Sequence, residues 1–478
     1  VRVTFITPPS GFLLDERVFP TLGVLKVAAV CEAVGHEVDV LDLSGVSDTF
    51  GALAAHLEEH DVDAYGITAT MPQMPSAAAM AAQIRESSDA KLILGGPHVT
   101  LMQSSARQEW ARQGPSRADQ AMRELADRFD VLVCGDGERA ITVALEDDAP
   151  AVIDGDDPKS DLFLKSDDFA EFPLAARHLI DLDSYHYAVD GVRAQSVICQ
   201  LGCPFACNFC GGRRSPFLRR IRSRSTPLVI AELRHLWNVY GTRGFMFFDD
   251  ELNVNRQFME LLDAIVALQD ELGEEFRLRG FLKAELITQP MAQAMYRAGF
   301  RQVLVGFESG HPRVLQNIQK KATREDNTRA VEMLHEAGIA VKAAMSIGHP
   351  GETDETIAAS RDWLLEVQPD EFDVSVITTY PGTPYYDDAR ETTPGVWTYI
   401  DPRNGDRLHA HHVDHLSEQS FYKGTPGSYR SFVYTDALTP EDICQRRDAL
   451  ESEVRSALRI AYPTAVAAVN YEHSMGQR

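Results

Sequence analysis

Three thiols stand within eight residues at Cys203-Pro-Phe-Ala-Cys207-Asn-Phe-Cys210, in a stretch that opens on Gly202 and carries Pro204. Such a stretch is a loop, and a loop can turn three sulfurs toward one centre. Three thiolates on a four-iron cluster leave one iron without a protein ligand, and an open iron can bind a substrate directly as well as pass electrons. The other cysteines, Cys31, Cys134, Cys199 and Cys444, are too few and too unevenly spaced for a disulfide framework. The clustering therefore points to metal in a reducing compartment. A zinc site completed by Cys199 is the alternative. Cys199 ends the apolar run Ser196-Val-Ile-Cys, however, and reads as a small buried hydrophobe, as do Cys31, Cys134 and Cys444.

Further chemistry-bearing residues recur downstream, each just after an apolar run. They are Phe247-Phe-Asp249-Asp250-Glu251, then Lys283 and Glu285, then Val305-Gly-Phe-Glu308-Ser309-Gly310, then Ser346-Ile-Gly-His-Pro350-Gly351-Glu352-Thr353, then Tyr380-Pro-Gly-Thr383-Pro384. The runs that must position them predict strands near 195–199, 244–248, 276–281, 302–307, 341–347 and 372–378. Each is followed by a helical stretch, as at 257–268 and 324–337. Six β/α units fall short of the eight that close a full barrel, so residues 191–386 are expected to form a partial (β/α)6 TIM-type barrel. Its working face lies at the strand C-termini, where the polar residues fall.

Residues 1–148 alternate short β-branched runs with alanine-rich helical stretches: Val3-Thr-Phe-Ile, Val38-Asp-Val-Leu, Ala64-Tyr-Gly-Ile-Thr, Leu92-Ile-Leu-Gly-Gly and Val131-Leu-Val-Cys-Gly. This α/β pattern predicts a doubly wound, Rossmann-like parallel sheet with a ligand crevice beyond the strand C-termini. The residues at those ends are Pro8 to Gly11, Thr68 to Met71, Gly95 to His98 and Gly135 to Glu138. No G-x-G-x-x-G follows the first strand, which disfavours a dinucleotide. Residues 149–190, rich in Asp and Pro, read as a linker. Residues 387–478 read as a small α-rich C-terminal segment, irregular as far as Leu438, with a helix opening at Thr439-Pro-Glu-Asp. Within it, Tyr422-Lys-Gly-Thr-Pro-Gly-Ser-Tyr is placed to fold back as a lid on the barrel mouth.

Charge and hydropathy narrow the function classes. Across 478 residues, 46 Lys and Arg against 71 Asp and Glu give a net charge of −25. A chain this acidic repels a phosphate backbone, so no nucleic-acid partner is expected. No run approaches the roughly 18 apolar residues of a membrane helix, so no membrane partner is expected. Val1-Arg-Val-Thr-Phe-Ile-Thr reads as a first strand rather than a secretory leader, which predicts a cytoplasmic location. A monomer is expected. Arg213, Arg214, Arg219, Arg220, Arg222 and Arg224 could meet a phosphate, a carboxylate or an acidic reductant; salt bridges to the surplus acids are the simpler reading. His409, His411, His412 and His415 read as a solvated loop rather than a second metal site.

The C-x3-C-x2-C spacing, with Phe209 before the last cysteine, resembles the radical S-adenosylmethionine (SAM) superfamily. A doubly wound domain ahead of such a core resembles its cobalamin-binding subfamily, and its methyltransferases in particular. The resemblance covers roughly residues 1–390, through Gly95-Gly-Pro-His-Val, Gly135-Asp-Gly-Glu, Phe172-Pro-Leu-Ala-Ala-Arg and the cysteine loop. It implies a [4Fe-4S] cluster on Cys203, Cys207 and Cys210 whose open iron chelates SAM, and one-electron cleavage of SAM to a 5′-deoxyadenosyl radical. It implies that Asp249, Asp250 and Glu251 receive the SAM ammonium, that Glu308 lies near its ribose, and that Phe209, Lys283 and Ser346 also serve the cofactor. Cobalamin is then expected against Thr68, Thr70, Met71, Gly95, Gly96, Pro97, His98, Gly135, Asp136, Gly137 and Glu138. The D-x-H-x-x-G motif is absent and His98 follows the fourth strand, so it reads as a hydrogen-bonding or capping residue and not a cobalt ligand. Thr68, Thr70, Met71 and Gln73 are the candidates for the lower face of cobalt, although Met71 and Met74 read equally well as packing residues.

The resemblance implies methylation of an unactivated carbon of a specialised small-molecule metabolite, with a flavodoxin- or ferredoxin-type reductant. The alternatives are a cobalamin-dependent cyclisation, ring rearrangement or oxidation without methyl transfer, and a non-catalytic cobalamin or redox sensor, which would need no SAM pocket. Methylthiolation would call for three cluster cysteines in the N-terminal domain, where only Cys31 and Cys134 occur.

Overall fold

The computed structural model describes residues 1–11, 13, 15–112, 116–424 and 426–462. Its first sheet has six parallel strands: β1 (Arg2–Thr7), β2 (Glu37–Asp42), β3 (Ala64–Thr68), β4 (Lys91–Gly95), β5 (Val131–Gly135) and β6 (Val152–Gly155), in the order β2-β1-β3-β4-β5-β6. Helices α1 (Leu22–Ala33), α2 (Thr49–Glu59), α3 (Met74–Ser87), α4 (Pro97–Arg112), α5 (Arg117–Ala126) and α6 (Gly137–Ala144) flank it. The central strands β3, β4 and β5 are apolar on both faces, while β2 and β6 at the edges are partly polar and exposed. Val3, Phe5, Val131 and Val133 pack toward α1 and α6, while Ile6, Ile67, Leu92 and Leu94 meet the other helix layer. The chain winds both ways from β1, which opens a crevice at the C-terminal edge between β1 and β3. The five strands expected from the sequence are β1 to β5. β6 lies in the stretch read as linker, because its Val-Ile-Asp-Gly is half-exposed and broken by Asp154, leaving no apolar run.

A hairpin of β7 (Ala188–Val189) and β8 (Val192–Val197) opens the second sheet; its turn, Asp190-Gly191, takes positive φ at both residues. The ladder of β9 (Gln200–Leu201) and β10 (Arg222–Ser223) brackets the cysteine loop. β11 (Gly244–Phe247), β12 (Arg277–Leu282), β13 (Phe300–Glu308), β14 (Ala340–Ile347) and β15 (Glu371–Val376) continue parallel to β8, in the order β15-β14-β13-β12-β11-β8-β7. The six expected β/α units are all present as an open barrel sheet. One buried cluster, including Leu233, Leu261, Met295, Leu334 and Trp363, joins the outer helices to it.

The C-terminal segment departs from expectation. Where irregular chain was expected, β16 (Arg390–Thr393), β17 (Val396–Ile400), β18 (Arg407–His411) and β19 (Val433–Tyr434) form an antiparallel sheet. These strands are short and rich in Thr, Arg and His, and only Leu408 and Ala410 of β18 are buried, so the apolar alternation is faint. Only His412 of the four histidines is an exposed loop residue: His409 and His411 stand on β18, with His409 bonded to Thr398 (2.8 Å) and Asp436 (3.1 Å) and stacked on Tyr434, and His415 is buried. The helix Pro440–Leu458 then opens as expected, Thr439 and Asp442 forming a reciprocal cap.

Candidate cluster and cofactor site

The cysteine loop is held from several sides. The Cys203 amide donates to Leu218 (2.8 Å), the Asn208 amide to Ile318 (2.9 Å), and the Asn208 side chain to the Asn317 carbonyl (2.9 Å). Arg219 donates to the Phe205 carbonyl (2.8 Å) and Arg213 to that of Ala206. Cys207 is buried, Cys203 half-buried and Cys210 exposed, while Phe209 packs on Val314, Leu315 and Ile318 with His349 edge-on at 5.4 Å. Burial pushes the Cys203 thiol up to about 12 and raises Cys207, so both stay protonated until a cation at the loop displaces their protons. Cys199 packs into the barrel core instead, which removes the fourth ligand the zinc alternative needs.

The acidic run divides by role. Asp249 accepts from the Cys199 (3.1 Å) and Gln200 (2.6 Å) amides, and Asp250 from that of Gly202 (3.0 Å), so both brace the entry to the cysteine loop. Glu251 is different: among the described residues its Oε2 is buried without a hydrogen-bond partner. Burial pushes Glu251 up to about 7, against the pull of Lys320 and Lys283.

Three other strand ends meet in one buried network. Glu308, at the end of β13 with φ of 66°, pairs with Lys320 (3.0 Å) and accepts from Ser346 Oγ (2.8 Å). Ser346 in turn contacts His349 Nε2 at 2.8 Å. Lys283 donates to the Lys320 carbonyl (2.8 Å), pairs with Glu285 (3.1 Å), and lies 4.6 Å from the ring centroid of Phe205 in the cysteine loop. Lys320 was not singled out from the sequence, and His349 only as part of the Ser346–Thr353 run. A usable signal was Gly306, where a Cβ would lie 2.6 Å from Glu308 Oε1 and 2.9 Å from Lys320 Nζ.

A cavity of about 600 Å³ lies between the crevice of the first sheet and Ser196, Ile198, Leu201, Phe217 and Phe248 of the second unit. Thr68, Thr70, Gly95, Gly96, Pro97, Gly135, Asp136, Gly137 and Glu138 all line it. Met71 and His98 do not: Met71 packs with Leu101, Phe421 and Phe432, and His98 turns to the ring of His415. Gln73 lines the cavity while holding Thr70 and donating to the Pro8 carbonyl (2.8 Å). The cavity also runs down beside Phe5, Gly66, Ile93 and Val133, and Asp15 to Val24 close its near side. Sequence reasoning missed both. Gly66, an isolated glycine inside a strand, marks such a close approach.

Space at the glycines suits a large flat ligand. A Cβ on Gly95 would face open space, its nearest neighbour being 4.0 Å away. Gly135 has φ of +85°, and a Cβ there would sit 2.3 Å from the Gly155 carbonyl carbon. No histidine lines the cavity among the described residues, so no imidazole is on hand as an axial ligand. Asp136 pairs with buried Arg222, and Glu138 with Lys26. Of the other arginines, Arg214 pairs with Asp388 (2.7 Å) and Arg224 with Glu232 (2.5 Å), while Arg213 and Arg219 donate to carbonyls of the cysteine loop and exposed Arg220 lies by the ring of Phe163.

Comparison with known families agrees with this geometry. Residues 197–364 match the radical SAM superfamily and residues 16–115 match the B12 binding domain. The chain belongs to the cobalamin-binding radical SAM enzymes. A [4Fe-4S] cluster, SAM and cobalamin are the cofactors of this radical SAM enzyme. An uncharacterized methyltransferase of Pyrococcus horikoshii is 26% identical, over 97% of this chain and 99% of its own length. An anaerobic magnesium-protoporphyrin IX monomethyl ester cyclase of Cereibacter sphaeroides is 27% identical over 82% of this chain, which spans 64% of the cyclase. The fold is that of TsrM, a radical SAM methyltransferase from Kitasatospora setae solved with cobalamin and a [4Fe-4S] cluster. The TM-score is 0.66 at 17% identity, covering 100% of this chain and 93% of TsrM. Among the described residues, no helix of this radical SAM enzyme is long and apolar enough to cross a membrane.

Proposed function

We propose that the enzyme methylates an unactivated carbon of a small molecule. The observation that carries this is the single cavity that joins a glycine-lined sheet edge, free of imidazole, to the barrel wall beside the cysteine loop. When bound, cobalamin supplies a transferable methyl group, and the cluster with SAM supplies a radical able to take hydrogen from carbon. The chain's own residues bind and orient. Cys203, Cys207 and Cys210 hold the cluster; Glu251 receives the SAM ammonium; Lys320, Glu308 and Ser346 fix the groups around it. Gly95, Gly96, Gly135 and Gly137 would hold the cobalamin by leaving it room, with Thr68, Thr70 and Gln73 lining the same cavity. No protein acid or base acts in the hydrogen-abstraction step. In this reading residues 1–148 are the cobalamin domain, 149–190 a linker, 191–386 the radical SAM barrel and 387–478 a closing segment. A flavodoxin- or ferredoxin-type reductant docks near exposed Cys210 and Arg220.

The test is anaerobic reconstitution with cobalamin, SAM and a strong reductant, followed by product mass. Gain of one methylene in the substrate, with 5′-deoxyadenosine released, supports the reading. Deoxyadenosine with a product lacking that gain overturns it in favour of cyclisation or oxidation, a reading the cyclase relative supports. Alanine at any one of Cys203, Cys207 and Cys210 abolishes SAM cleavage.

A further inference from the structure

A second, smaller pocket of about 60 Å³ lies on the far side of α4 from the cofactor cavity, between α4, α5 and residues 412–416. We propose that it binds a small carboxylate-type oxyanion, with Arg117 supplying the charge and His98 and His415 each donating from Nδ1. Three observations carry this. Arg117 is sandwiched between the rings of Tyr386 (3.4 Å to the centroid) and Trp397 (4.0 Å), and its one polar partner among the described residues is the Tyr386 carbonyl (2.6 Å). The buried Arg177, Arg222 and Arg447 each meet a carboxylate; Arg117, half-buried, meets none among the described residues.

His98 and His415 are only 2% and 7% exposed, their rings meet edge to face at 5.5 Å, and Nδ1 of each is buried without a partner. Buried polar atoms are paired in native structures, so two orphaned nitrogens on one pocket mark a missing ligand. Asp387 and Glu391 add negative charge near Arg117, but among the described residues neither pairs with it, and Asp387 Oδ1 accepts from Ser105 Oγ (2.5 Å); the other acids nearby are committed elsewhere. Asp414 accepts from Ser417 Oγ (2.6 Å) and the Leu416 amide, Glu124 from Gln120, and Glu109 from the amides of Ser116, Ala118 and Asp119. A planar guanidinium and two ring N–H groups match a carboxylate head. The space admits formate, acetate or bicarbonate, and is far too small for a corrin or a nucleotide. Such an anion would pin residues 412–416 to the N-terminal domain.

The experiment is calorimetric titration of sodium formate and sodium acetate into the reconstituted holoenzyme at constant ionic strength, for the parent, Arg117→Gln and His415→Gln. One saturable site is expected, weakened about tenfold or more in both variants, with 5′-deoxyadenosine formation retained as proof of folding. Absence of saturable uptake by the parent overturns the proposal, and so does an affinity left unchanged in His415→Gln, the milder variant. The first result would mean that water alone fills the pocket.

Discussion

Glu251 has one carboxylate oxygen, Oε2, that the protein buries and leaves unsatisfied among the described residues, and that has a measurable cost. Its pKa, pushed up to about 7, means that between about pH 4.5 and 7 the native state holds a proton the unfolded chain has released. Stability of the cofactor-free protein therefore contains a term that falls as pH rises through that window and is lost above it. Glu251→Gln removes the term: above pH 7 the variant should unfold on the order of 1–3 kcal/mol harder than the parent, while its SAM affinity drops at least about tenfold. Urea melts at several pH values and equilibrium dialysis of SAM check the two halves. A variant that binds SAM normally would remove Glu251 from the site. The cysteines were legible in the sequence because their chemistry is local, three sulfurs in one loop. Glu251 was legible as one acid of three, but which of the three stays free depends on amides of Cys199, Gln200 and Gly202 that only the fold brings near. Lys320 was invisible for the same reason, and His349 was legible only as one residue of the Ser346–Thr353 run.

At the scale of elements, the strand-to-helix turns of the first sheet do two jobs that substitution separates. Gly135→Ala puts a methyl against the backbone of β6 at a left-handed φ, and should cost about 2–4 kcal/mol of stability along with cobalamin binding. Gly95→Val should leave the thermal midpoint within a few degrees, since the space is open, yet abolish cobalamin retention by filling that space. Visible absorbance of the loaded protein together with a melting curve tells the two apart. If Gly95→Val keeps its cobalamin, the corrin lies elsewhere. Strands buried on both faces, such as β3 to β5 and β11 to β15, announced themselves as apolar runs. β6 and β16 to β19 did not, because a short strand with a polar or exposed outer face carries too little apolar pattern to stand out from loop.

At the scale of the molecule, the two sheets are tied by buried polar links. Arg222 reaches Asp136, and Asp156 accepts from Ser215 Oγ (2.8 Å) and the Phe217 amide (2.7 Å). Gly382 and Asp387 meet Ser105. Arg222→Met strands the Asp136 carboxylate and should cost about 3–5 kcal/mol, and cobalamin should raise the melting point of the whole chain rather than of one part. Two separate transitions in calorimetry of the parent would show that these links are weak.

The open barrel has two sides where the hydrogen-bonding pattern stops, and segments flanking the barrel in sequence cover them. β7 folds over one. At the other, Arg447 and Arg455 of the last helix donate to the Val374 (2.9 Å) and Phe372 (3.0 Å) carbonyls of β15, and the Val376 amide donates to the Tyr422 carbonyl (2.8 Å). That cover is what keeps a strand-shaped template from recruiting a second molecule. A fragment ending near residue 386 would hold every cluster ligand and still precipitate, its last strand joining copy to copy.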